Sequence, residues 1–177
     1  MASRIASRIF VALLGLTLLA PSAHAGVTEK DVLVIGRVLA LLNHAPSGTA
    51  DIAIATAGPA TQGDSATMES LIGSGKQVGT LTLTASPVRY DQLAQAHTSI
   101  VFVPDGLTNA ELAELFETAK ARKLITISTS DACIVIQKCA IAVTSAPAVD
   151  IRLSLAAAAA TNVSFGTTFR MIIKEVQ

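Results

Sequence analysis

The chain has 177 residues, 13 basic against 13 acidic side chains, and a hydrophobic fraction of 51% of which little is aromatic. It carries no block of like charge, so it lacks the basic face that nucleic-acid binding requires. With no Trp, one Tyr and five Phe, a platform for stacking sugars or single-stranded bases would empty the core, and those ligands are excluded as well.

The first elements in chain order are those of an export signal. Arg4 and Arg8 supply a positive start, Ile9 to Leu19 a short apolar run, and Pro21 a break. Ala23-His24-Ala25 then places small residues where a signal peptidase reads them, which predicts cleavage between Ala25 and Gly26. The apolar run is shorter than the roughly 20 residues that span a bilayer, and no Cys follows it to take a lipid anchor. An uncleaved amphipathic anchor is the alternative. Residues 1–25 are therefore read as a signal peptide and residues 26–177 as one exported domain. Cleavage removes Arg4 and Arg8, leaving 11 basic residues against 13 acidic ones. No later apolar run reaches spanning length, so no stable membrane insertion is expected after cleavage.

From Val27 the pattern is helical, with Val32, Ile35, Leu39 and Leu42 on one stripe and Thr28 placed to cap. Asp51 to Ala55 reads as a short strand, Ser65 to Ile72 as a weaker helix, and Val78 to Leu83 as a strand with one wet face. A short helix is predicted over Arg89 to Gln95 and a buried strand over Ser99 to Val103. Thr108 and Glu111 have capping-box spacing. They open a helix whose apolar stripe is Leu112, Leu115, Phe116 and Ala119. Leu124 to Ile127 returns as a strand, and a helix between two buried strands implies a parallel crossover.

Beyond Asp131, Ile134 to Ile136 and Ala140 to Val143 read as two antiparallel strands clasped by Cys133 and Cys139. An exported chain usually pairs its thiols, so a structural disulfide is expected. Free or exchanging thiols are one alternative. A zinc site is another, and it would need His97 or His44 as further ligands. Ile151 to Leu153 is a further strand and Ser154 to Asn162 an Ala-rich helix, while Phe165 to Val176 is helical or extended. The fold class is thus α/β: a single domain with a mixed, mostly parallel sheet, helices on both faces and a disulfide-clipped β-hairpin.

Few motifs carry chemistry. Gly73-Ser74-Gly75-Lys76 fails the phosphate-loop pattern at Ser70 and Gln77 and reads as a turn. A Ser-His-Asp set could be drawn from His97 and Asp91, but no spacing selects a serine, so His97 is expected to be structural. Asp105 and Asp131 each follow a strand, at the end where α/β sheets gather ligand groups. They are the candidates for a ligand crevice, with turn and capping roles as the simpler reading. No catalytic residue, metal or cofactor is expected.

From Leu124 onward the order of features resembles the YfiR/HmsC-like family of small periplasmic proteins. The elements that carry the likeness are Ile125-Thr126-Ile127-Ser128, the Cys133–Cys139 segment, Val149 to Leu155, and Ala156 to Asn162 with Val163. The family's aromatic-rich first helix ends in Trp-Pro, where this chain has Leu42-Asn43-His44-Ala45-Pro46, so the likeness is to a divergent relative. It implies a non-catalytic regulator in the periplasm. Such a protein would be a homodimer acting by contact with the periplasmic domain of a membrane protein. Restraint of an inner-membrane diguanylate cyclase is the form it suggests, and cyclic-di-GMP signalling the process. A small periplasmic solute-binding module is the alternative function, and a hydrolase the third.

Overall fold

A computed structural model describes residues 26–177; the expected signal peptide lies outside the described residues. Helix α1 (Glu29–Ala40) opens on Thr28, whose hydroxyl takes the Asp31 N–H at 3.2 Å while the Asp31 carboxylate takes the Thr28 N–H at 2.8 Å. Its stripe of Val32, Ile35 and Leu39 is fully buried. Strand β1 (Thr49–Thr56) leads through a 3₁₀ turn, Pro59–Thr61, into helix α2 (Gln62–Ile72). Strands β2 (Lys76–Val78) and β3 (Leu81–Arg89) follow, then a 3₁₀ segment, Tyr90–Gln95, and strand β4 (Ile100–Phe102). Helix α3 (Asn109–Arg122) starts on the expected capping box, with the Thr108 N–H donating to Glu111 Oε2 at 2.7 Å. The chain then forms β5 (Ile125–Ser128), α4 (Asp131–Val135), β6 (Ile141–Thr144), β7 (Asp150–Ser154), α5 (Leu155–Thr161), α6 (Thr167–Arg170) and β8 (Lys174–Val176).

All eight strands join one sheet in the order β2-β3-β1-β4-β5-β6-β7-β8. The five central strands, β3-β1-β4-β5-β6, are parallel, while β2 pairs antiparallel to β3 and β7 antiparallel to β6. From β1 the chain winds first to β3 on one side, then to β4, β5 and β6 on the other. Right-handed crossovers in those two directions must lie on opposite faces. They do. Ile52, Ile54, Ile100, Phe102 and Ile141 pack into one core with α1 and α2, and Ala53, Ala55, Val101 and Val103 into another with Leu112, Leu115 and Leu93. Gly36 of α1 lets the helix settle on β2, since a Cβ there would lie 2.8 Å from the Val78 side chain.

The fold class agrees with the sequence reading, and two local expectations are corrected. Val78 to Leu83 is not one strand. Gly79, at φ 62°, turns the chain between β2 and β3, and Val78 pairs with Leu81 across a two-residue turn. Ile134 to Ile136 is not a strand either, because Ser130 caps a short helix with its hydroxyl on the Ala132 N–H at 3.2 Å. The hairpin is β6–β7, and the disulfide ties α4 to its foot just before Ile141. The last segment, left open between two states, contains both: α6, and then β8 in parallel with β7.

Candidate functional site

Parallel strands deliver all their carboxyl ends to one side of a sheet, and a doubly wound order leaves a crevice where the winding reverses. Here that point lies between β1 and β4. The turn after β1 and the turn after β4 meet there. Gly106 has φ 96°, and a Cβ on it would lie 2.2 Å from the Ala60 carbonyl oxygen, so the turns touch backbone to backbone. Thr61 braces the first turn: its hydroxyl takes the Ala57 N–H at 3.0 Å and donates to the Gly58 carbonyl at 3.1 Å. Asp64, in the first turn of α2, accepts the Asp105 N–H at 3.2 Å.

The two crevice candidates are therefore at the expected end of the sheet but are not brought together around an opening. The chain at Asp105 is bonded to α2. Asp131 is drawn to the opposite face, where its carboxylate pairs with Arg152 of β7 at 3.0 Å. Arg152 also pairs with Asp150 at 3.0 Å, and Asp150 with Lys174 of β8 at 3.0 Å. Charges of alternating sign thus step across α4, β7 and β8. Burial pushes the Asp150 carboxyl up, but hydrogen bonds from Lys174 and Arg152 outweigh it and hold the group below its ordinary range.

Cys133 and Cys139 are bonded to each other and buried. Gly26 lies beside Asp64, with a Cβ position 3.6 Å from Oδ1. Lys76, from the rejected phosphate loop, pairs with Glu29 at 2.5 Å and holds that carboxyl below its usual value. Asp91, the acid of the possible triad, is held by Arg89 at 2.7 Å rather than by His97.

His97 lies in a groove that sequence reasoning missed. It lines about 350 Å³ beside Asp51, Thr84, Ser86 and Thr98, on the face of β1 and β3 away from α1 and α2. Asp51 is engaged there by Thr84, whose hydroxyl donates to its carboxylate, and Thr98 donates to its carbonyl at 2.7 Å. The available signal was the alternation of Thr82, Thr84 and Ser86, which continues beyond Leu83 the wet face expected for Val78 to Leu83. Among the described residues no three His, Cys, Asp or Glu side chains gather as a metal set, and no helix is long and apolar enough to cross a membrane. No protein-family model matches the chain, and no curated protein matches it in sequence.

Proposed function

We propose that this protein is an exported, non-catalytic regulator that works by contact with the periplasmic domain of a membrane protein. Restraint of an inner-membrane diguanylate cyclase is the form suggested by the resemblance to YfiR/HmsC-like proteins. The observation that supports the reading is the contact of Gly106 with Ala60, which packs the two turns at the switch point against each other, backbone to backbone. The surface presented is a small, firmly held helix. Val135 of α4 is 66% exposed and the adjoining Ile136 39%. Beneath them the Cys133–Cys139 bond fixes the helix to the β6–β7 hairpin, and Arg152 holds its first residue. Apolar side chains on a preorganised support lose little entropy on binding, which suits a compact protein–protein contact.

The test measures intracellular cyclic-di-GMP in cells with the gene deleted and then complemented. Deletion should raise the level, and the wild-type chain should bring it down. Val135→Asp with Ile136→Asp, folded and exported, should not. No change on deletion would end the cyclase reading.

A second reading, a small solute-binding module, is favoured by the groove at Asp51, Thr84 and His97. Its volume falls within the range of about 300–1,000 Å³ seen for small-molecule sites. Calorimetric titration of pooled periplasmic metabolites would support it if the heat vanished in His97→Ala with Thr84→Val.

A further inference from the structure

We propose that cleavage after Ala25 creates the partner for a waiting carboxylate. The new Gly26 ammonium closes on Asp64 and ties the start of the chain to the carboxyl end of the sheet. This rests on the expected cleavage.

The geometry is set by neighbouring residues. Val27 is buried in the core and Thr28 is held in the α1 capping box, so Gly26 is anchored within one residue of its position. Its Cβ position is 3.6 Å from Asp64 Oδ1. Asp64 is half-buried, and its other oxygen, Oδ2, is taken by the Asp105 N–H. Oδ1 is thus the atom turned to Gly26. The nearby cation Lys30 is directed elsewhere, to the Ser145 carbonyl at 2.9 Å. In the uncut chain Gly26 offers Asp64 only a neutral amide. In the cut chain it offers a charge, and a charge-assisted hydrogen bond is roughly twice as strong. Three segments then meet at one carboxylate: the chain start, α2, and the turn after β4 that carries Gly106. Processing would stiffen the closure over the switch point.

The test uses residues 26–177 released by a protease to leave a free Gly26, beside the same chain N-acetylated. Each is made as wild type and as Asp64→Asn, which keeps an oxygen for the Asp105 N–H. Acetylation should lower the wild-type melting temperature by about 2–4 °C and leave Asp64→Asn unmoved. Equal shifts in both backgrounds, or no shift in wild type, overturn the proposal.

An NMR titration of ¹³C-labelled Gly26 gives a readout that needs no variant. The charged groups on the surrounding elements are Lys30 and Asp31 on α1, Asp64 on α2 and Asp105 after β4. The amine should titrate above its ordinary range of about 7.7–8.0, and an ordinary value overturns the pair. Its stabilisation is full below the unfolded amine's pKa and is lost as pH rises through the raised folded one. Intact mass of the exported chain checks the premise separately. A start other than Gly26 overturns the proposal through cleavage, whereas an unresponsive amine overturns the pair itself.

Discussion

The carbonyl oxygen of Ala60 lies so close to the α-carbon of Gly106 that a methyl group there would sit 2.2 Å from it. This contact joins the turns that follow β1 and β4, the two strands flanking the point where the winding reverses. At that point the two turns pack backbone to backbone.

Gly106→Ala should therefore be far more costly than a glycine replacement elsewhere. Gly79 also has positive φ, 62°, but nothing lies within 4 Å of its Cβ position. Gly79→Ala should lose about 1 kcal/mol, the conformational part alone. Gly106→Ala adds a backbone collision and should lose about 3 kcal/mol or more. Urea unfolding followed by circular dichroism measures both. Equal losses would mean that the two turns part easily and that the crevice opens.

Asp150 predicts an acid-sensitive edge. Its carboxyl is held below the ordinary value of 3.8 by Lys174 and Arg152 against the opposing effect of burial. A depressed carboxyl contributes stability above its unfolded pKa and loses it as pH falls through the folded one. Asp150→Asn should thus be less stable than wild type at neutral pH, by up to about 1 kcal/mol for a partly exposed network. The gap should close below about pH 4. A gap that persists in acid would assign the loss to packing at the β7–β8 pair.

The order of helices and strands was legible where local chemistry and burial agreed. Thr108 with Glu111, and Thr28 with Asp31, mark helix starts that the backbone adopts. β3 runs past the expected end at Leu83 to Arg89 and passes through Pro87. Thr82 donates inward to the Gly48 carbonyl at 2.8 Å, so residues of the other parity, Pro87 among them, face away from β1. β2 reaches only Leu81 to Leu83, and the N–H that Pro87 lacks would have met no strand. The segment Ile134 to Ile136 was misread because three apolar residues suit a strand and a helix equally. Asp105 and Asp131 could be placed at the strand ends from sequence. Their partners, Asp64 and Arg152, come from elements 41 and about 20 residues away, and no spacing announces them.

His97 separates the readings of function. It is exposed, and Asp51 beside it is engaged by Thr84. His97→Ala should leave folding unchanged and, at equal abundance, leave cyclic-di-GMP where the wild-type chain sets it. Loss of that effect in a folded, exported variant would move the functional surface from α4 to the groove.

The disulfide gives the last prediction. It closes a short loop, with a sequence separation of 6, so Cys133→Ser with Cys139→Ser should lose about 2 kcal/mol on the loop-entropy model. The parallel core at Ile54, Phe102 and Ile127 lies on the face of α1 and α2 and does not depend on it. Circular dichroism should therefore stay near wild type, with a lower melting temperature. The local consequence is larger than the global one. α4 has five residues, too few to hold a helix unaided, and without the bond it is held by non-covalent contacts alone, among them the Ser130 cap, the buried Ile134 and the Arg152 pair. Val135 and Ile136 then lose their fixed geometry, and any partner that reads them must order the helix as it binds. Hydrogen exchange should quicken at residues 131–137, and control of cyclic-di-GMP should weaken in step. Fast exchange with full control would show that the partner does not read α4, and the contact surface would have to be sought elsewhere on the domain.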